Sequence, residues 1–225
     1  MQKVFSSKQK WEIAIVQALL ADLDKAIRSD QMANVLLSGG STPGPVYELL
    51  DQNCNFIEKV QFGLVDERFV PISSEFSNES LIRSCFKTHS QKHYNIEGMV
   101  FDSTDEEANL EILKEKYEGF TNRTHLSILG MGADGHTASI FPGDIASERA
   151  INQDVSSFLA TRAPSEPRKR ITCNMKLITE SNEIYLLISG EEKWRVLNDT
   201  ARKLPIHYLL SLRPDTKIYY LNESK

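Results

Sequence analysis

Cysteine is scarce in this 225-residue chain: Cys54, Cys85 and Cys173 stand far apart, with no C-x-x-C pair. An odd, dispersed set excludes a disulfide framework or a zinc knuckle, and the three read as buried structural thiols under reducing conditions. Long apolar runs are also missing. Nothing approaches the roughly 18 residues that a membrane span needs. The first 29 residues lack both the unbroken apolar stretch and the small-residue cleavage site of a signal peptide, and read instead as an amphipathic helix. Positive charge is in short supply too, with 26 Lys and Arg against 31 Asp and Glu and a net charge of −5. No basic block could serve a nucleic-acid surface. A small anion is not excluded, because two or three basic groups in a cleft can hold one phosphate. The expected protein is soluble and cytoplasmic, a monomer or weak homo-oligomer, with no nucleic-acid or membrane partner.

What is present is ordinary globular composition, 40% hydrophobic and 25% charged, enough for a sizeable core. Trp11, Ile15, Ala18, Leu19, Leu23 and Ile27 recur at helical spacing, which predicts a surface helix over about residues 7–29. Short apolar runs predict strands at 34–37, 60–65 and 124–129, each followed by a loop and then a helical pattern. Further strands are expected at 171–175, 183–189 and 216–221, and helices at 46–50, 78–86, 105–118 and 191–202. The polar, proline-bearing stretch 163–169 reads as a loop. The Glu- and Lys-rich pattern of 105–118 is a solvated helix face. Strand–helix alternation with near-continuous apolar strands points to an α/β fold, a Rossmann-like, mostly parallel sheet with helices on both faces. A single domain over 1–225, with a small additional lobe folded against it, is the expected organisation.

Three strand-end loops carry chemical potential, and in an open parallel sheet such loops converge on one cleft. The first is Ser38-Gly39-Gly40-Ser41-Thr42-Pro43-Gly44, where glycines allow close backbone approach and the helix start offers an anion site. A tight strand-to-helix turn capped by Ser41 or Thr42 explains the same residues. No G-K-[ST] follows, so it is not a P-loop. The second, Asp66-Glu67-Arg68, places acids and a guanidinium at the end of an apolar strand. Arg68 suits a phosphate, Asp66 suits an imidazole or a sugar hydroxyl, and an internal ion pair would equally close the loop. The third, Gly130-Met131-Gly132-Ala133-Asp134-Gly135-His136, matches G-x-G-x-x-G. Pro142-Gly143 interrupts the helix that a dinucleotide site requires, and no second strand ends in an acid about 20 residues on. Its imidazole, with an ordinary pKa of about 6.5, is suited to take a proton from water. Elsewhere, His89 and His93 share a metal-ligand spacing but have no third ligand and read as helix surface, while His125 and His207 read as structural.

Taken together, S-G-G-S-T-P (Ser38–Pro43), D-E-R-F-V-P (Asp66–Pro71), Ser77-Asn78, G-M-G-A-D-G-H-T-A-S-I-F-P-G (Gly130–Gly143), R-I-T (Arg170–Thr172) and S-G-x-x-K (Ser189–Lys193) resemble the 6-phosphogluconolactonase family, within the wider glucosamine-6-phosphate deaminase-like group. The resemblance implies hydrolysis of 6-phosphogluconolactone to 6-phosphogluconate without metal or cofactor. It implies His136 as the base that activates water, with Asp66 beside it as the second catalytic residue. Gly40, Ser41, Thr42, Arg68, Gly132, Asp134, Gly135 and Arg170 would contact the sugar-phosphate lactone.

Two departures matter. Ser165 falls where the family often has a lysine, so Arg162, Arg168 or Lys169 would have to supply that charge. Ala133 replaces a common proline, with little expected effect. The related deaminases usually place a glutamate five residues after the histidine, and here that residue is Phe141. A sugar-phosphate sensor with a DNA-binding helix-turn-helix is also disfavoured, because only one helix is expected ahead of the strand at 34.

Overall fold

The computed structural model describes residues 1–87, 94–152 and 156–223; His89 and His93 lie outside the described residues. In chain order the strands are β1 (Gln2–Phe5), β2 (Ala33–Leu37), β3 (Val60–Leu64), β4 (Asp66–Arg68), β5 (Asn95–Ile96), β6 (Leu126–Leu129), β7 (Phe158–Arg162), β8 (Lys169–Cys173), β9 (Glu183–Ser189) and β10 (Lys217–Leu221). The helices are α1 (Lys8–Asp30), α2 (Gly44–Asn53), α3 (Asn78–Cys85), α4 (Glu106–Lys116), α5 (Glu118–Asn122), α6 (Ile145–Ile151), α7 (Met175–Thr179), α8 (Glu191–Asn198) and α9 (Pro205–Leu212).

Seven strands form a parallel sheet in the order β1-β10-β9-β6-β2-β3-β5, flanked by helices. An antiparallel sheet, β4-β8-β7, makes the additional lobe. The fold is α/β and Rossmann-like, as the strand–helix alternation predicts. The central strands are near-continuous apolar runs because both faces are covered: all four residues of β6 are buried, as are Ile184–Ile188 of β9. Helix α1 lays Trp11, Ile15, Leu19 and Leu23 on the sheet, and the Trp11 indole donates to the Tyr219 carbonyl at 3.1 Å. The Ser7 hydroxyl caps its start, and it stops at Gln31, where φ is 68°. All three cysteines are buried, and none is joined in a disulfide. Among the described residues, no helix is long and apolar enough to cross a membrane.

Connection order decides where a ligand can sit. From β2 the chain runs outward through α2 to β3 and β5; from β6, on the other side of β2, it continues to β9 and β10. The loops leaving β2 and β6 therefore diverge, and a crevice opens at the carboxyl ends of these two strands. Val65 joins the two sheets beside it. Its N–H donates to Leu37 O (2.9 Å) and its carbonyl accepts from Cys173 N–H (2.8 Å). Asp66 is thus delivered to the crevice by backbone bonding on both sides.

Several local expectations need correction. Residues 2–5 are not helical but form an edge strand, too short to show a period. Asp66–Arg68 is a short strand rather than a loop, and β8 runs antiparallel in the small sheet instead of joining the large one. Met175 opens α7, capped by the Asn174 side chain. The 191–202 helix ends at Asn198 and is followed by a 3₁₀ turn at Thr200–Arg202. Helix α2 begins at Gly44 after Pro43, so neither Ser41 nor Thr42 caps it.

Tyr117 shows how the core holds the strand that feeds the crevice. Fully buried, its hydroxyl accepts from Leu64 N–H (2.8 Å) and donates to Glu97 O (3.0 Å). Tyr117→Phe leaves the Leu64 donor unpaired in the interior, which costs about 1–3 kcal/mol. A urea titration should show a lower midpoint with an unchanged slope.

Candidate active site

The crevice is a cavity of about 580 Å³, lined by the loop after β2, by Asp66 and Arg68 of β4, by the glycine–histidine loop after β6, by residues 163–165, by Arg170 of β8 and by Lys193 of α8. Of the residues singled out in the sequence, Gly40, Ser41, Thr42, Asp66, Arg68, Gly132, Asp134, His136 and Arg170 line it. Gly135 does not. Its φ of +83° suits glycine, and a Cβ there would stand 2.4 Å from Leu204, so it closes the loop against the start of α9.

The histidine loop is folded on itself. Gly132 N–H donates to His136 O (3.0 Å) and Thr137 Oγ1 donates to Gly130 O (3.0 Å). This turn brings His136 Nδ1 to 2.6 Å from Asp134 Oδ1. An ionised carboxylate only accepts, so Nδ1 donates to it, and in the neutral imidazole this places the lone pair on Nε2. Burial works to raise the Asp134 carboxyl, but the hydrogen bond and charge of His136 hold it below its ordinary value. Asp134, expected among the substrate contacts, is the group that orients the imidazole. Asp66 does not take that part: its Oδ2 accepts from the Ser139 hydroxyl at 2.5 Å. The Phe141 ring packs on the imidazole at 4.7 Å between centroids, at the position where a deaminase would carry its glutamate.

Opposite the histidine, β4 and β8 place Arg68 directly across from Arg170. Like charges in facing positions repel, so an anion held between or above the two would stabilise the pair. Arg68 Nη1 donates to Phe76 O (2.6 Å). Arg170 is 7% exposed, and its Nη1 has no partner. Burial, followed by the charge of Arg68, lowers the Arg170 pKa. Neighbouring Glu67 anchors this corner: its carboxylate accepts from Arg68 N–H (2.6 Å), Asn78 N–H (2.7 Å), Glu79 N–H (2.7 Å) and the Ser77 hydroxyl (3.0 Å). It thereby ties β4 to the first turn of α3. Burial pushes the Glu67 carboxyl up to about 7 against the downward pull of those four bonds.

Among the described residues, three buried side-chain atoms lack partners: Ser38 Oγ, Asn78 Oδ1 and Arg170 Nη1. All three belong to residues that line this cavity. Buried polar groups are ordinarily paired, so their concentration here marks a surface built for a polar ligand. The replacement charges expected near Ser165 are engaged elsewhere. Arg162 and Lys169 both pair with Glu106, at 2.8 and 3.0 Å, and Arg168 turns to the Ala163 carbonyl (3.4 Å). The lysine of the cavity is Lys193, whose signal was the S-G-x-x-K spacing after a strand. His125 and His207 are bonded within the fold, to Asn34 N–H and Asp30 in one case and to Leu204 N–H and α8 carbonyls in the other.

The family model described as glucosamine-6-phosphate isomerases/6-phosphogluconolactonase matches residues 6–216. The chain belongs to this family. It is 31% identical over 202 residues to a 6-phosphogluconolactonase of Thermotoga maritima, covering 85% of each chain. It is 27% identical over 214 residues to one of Caulobacter vibrioides, covering 92% of this chain and 91% of the relative. Among solved structures, a 6-phosphogluconolactonase from Shewanella baltica superposes with a TM-score of 0.88 at 29% identity, over 99% of this chain and 97% of that one.

Within that frame Gly132 has a specific duty. A Cβ there would stand 2.3 Å from imidazole atoms and 2.5 Å from Asp134 Oδ1. Gly132→Ala is expected to separate the pair while leaving the sheet intact. The check is the downfield Nδ1–H proton resonance of His136, which should vanish with little change in melting temperature.

Proposed function

We propose that this protein hydrolyses 6-phospho-D-glucono-1,5-lactone to 6-phosphogluconate, the lactone-opening step of the oxidative pentose phosphate pathway. One observation carries the reading: a carboxylate-held imidazole with a free Nε2 shares a cavity with a facing arginine pair and a lysine. An anionic end and a hydrolysable end of one small molecule are thereby addressed together. The relatives bearing the 6-phosphogluconolactonase name support the same choice.

In this mechanism Arg68, Arg170 and Lys193 hold the phosphate, with Ser41 and Thr42 adding hydroxyl donors. His136 Nε2 takes a proton from water as the oxygen attacks the lactone carbonyl carbon. The carbonyl becomes a tetrahedral oxyanion, steadied by N–H groups of the glycine loop. Collapse breaks the ring C–O bond, and the imidazolium returns its proton to the departing ring oxygen, leaving a hydroxyl and a carboxylic acid that ionises. Asp134 keeps the imidazole in the required tautomer and steadies the imidazolium. Asp66 is left to accept a hydroxyl of the sugar.

His136→Ala should lower turnover about 10²–10⁴-fold with little change in phosphate affinity. Asp134→Asn should cost up to about 10⁴-fold, as loss of the carboxylate that sets a general-base imidazole's tautomer does. Both are measured with freshly made lactone against its spontaneous hydrolysis. Full turnover in the His136 variant, or ammonia release from glucosamine 6-phosphate without lactone acceleration, would overturn the proposal. Arg170→Ala should act differently, raising KM about 10–100-fold, because a charge-assisted phosphate contact is lost.

A further inference from the structure

Asp66 reaches the cavity from a strand end, but a carboxylate on a short strand can rotate, and something has to fix which oxygen it presents. Ser139, three residues beyond the histidine, meets that need. It is 1% exposed, and its hydroxyl donates to Asp66 Oδ2 at 2.5 Å. Its backbone is held independently on both sides. The Ser139 N–H donates to Thr172 Oγ1 of β8 (3.2 Å), and the Ser139 carbonyl accepts from Thr161 Oγ1 of β7 (2.7 Å). Thr172 gives its own hydroxyl proton to Cys173 O (3.0 Å), so it is free to accept. The direction of every bond in this set is therefore determined, and the Ser139 proton points at the carboxylate. Asp66 Oδ1 has no partner among the described residues, is not among the fully buried unpaired atoms, and belongs to a residue lining the cavity.

We infer that Ser139 is a positioning residue: it holds one oxygen of Asp66 so that the other accepts a hydroxyl of the sugar-phosphate substrate. The same side chain links the histidine loop to the strand end that carries Asp66, so base and hydroxyl acceptor move together. Ala138, between them, has a φ of +48°, a conformation that a non-glycine residue adopts only when its surroundings impose it. The bonds on Ser139 supply that constraint. The inference rests on the lactonase reading for its substrate and extends it to a residue whose backbone does the structural work and whose hydroxyl serves Asp66 alone.

Ser139→Ala removes the hydroxyl and keeps both backbone bonds, so thermal unfolding should change by only a few degrees. The expected result is a fall in kcat/KM for the lactone of about tenfold to a hundredfold, the scale of a hydrogen bond to a charged group. Ser139→Cys, nearly isosteric with a weaker donor, should fall between and guards against misfolding of the alanine variant. In an Asp66→Ala background the same Ser139→Ala change should alter kcat/KM less than twofold, whereas a merely structural role would repeat its full loss. Affinity for inorganic phosphate should be unchanged by the Ser139 substitution in either background. The cycle is repeated with calorimetric binding of 6-phosphogluconate, which needs no turnover. Wild-type protein that binds this acid but does not accelerate the lactone would sink the lactonase reading, with the binding cycle still deciding on Ser139. Undiminished Ser139→Ala function, additive losses with Asp66→Ala, or no binding of the acid by wild-type protein would overturn the positioning role.

Discussion

Between β2 and β6 the connections of the parallel sheet part, one set running to β3 and β5, the other to β9 and β10. Neighbouring strands whose chains leave in opposite directions cannot cover the gap at their own carboxyl ends. That gap receives Ser38–Pro43 from β2 and Gly130–His136 from β6. The next strand outward, β3, delivers Asp66 through Val65, whose backbone is bonded to both sheets. Residues separated by more than a hundred positions meet because of this topology and not because of any local preference.

The cavity so formed is locally unfavourable for the fold. Two guanidiniums face each other across β4 and β8, three buried polar atoms stay unpaired, and Ala138 holds a positive φ. Each of these opposes folding, and their convergence on one surface is the pattern expected of a site kept for binding. The core bears that cost: tyrosine and tryptophan side chains such as Tyr117 and Trp11 are fully buried with their polar atoms bonded. Glu67 works between these two regimes. Four donors converge on it, which fixes the Arg68 backbone and the start of α3 against the site.

Much of the sheet and the three strand ends that line the cavity were legible in the sequence, for identifiable reasons. Apolar runs closed by Gly39-Gly40, Asp66 and Gly130 mark strands whose ends carry groups that cannot enter the core. What stayed hidden depends on distance or on pairing. Asp66 was the acid expected to suit an imidazole and Asp134 a substrate contact, and only the turn made by Gly132 and Gly135 shows that Asp134, two residues away, bonds His136. Glu106, at the start of α4, draws off Arg162 and Lys169, two ion pairs that no local spacing reveals. β1 is four residues long and β8 five, so neither carries a period that tells parallel from antiparallel pairing. Lys193 was visible only as part of a spacing, since nothing in its neighbours shows that α8 points it into the cleft.

The small antiparallel sheet, easily taken for an appendage, sets the distance between the arginine pair and the histidine loop. Residues two apart on a strand share a face, and on β8 those residues are Arg170 and Thr172. Arg170 lines the cavity with its Nη1 unpaired, while Thr172 accepts the backbone N–H of Ser139 in the histidine loop. The phosphate grip and general base of the proposed mechanism are therefore referenced to one five-residue strand. In the proposed mechanism, a substrate fixed at its phosphate would have its carbonyl presented to His136 at a separation set by strand geometry, with little further freedom to lose in the reaction. The loops bring the reactive groups, and β8 makes their spacing rigid.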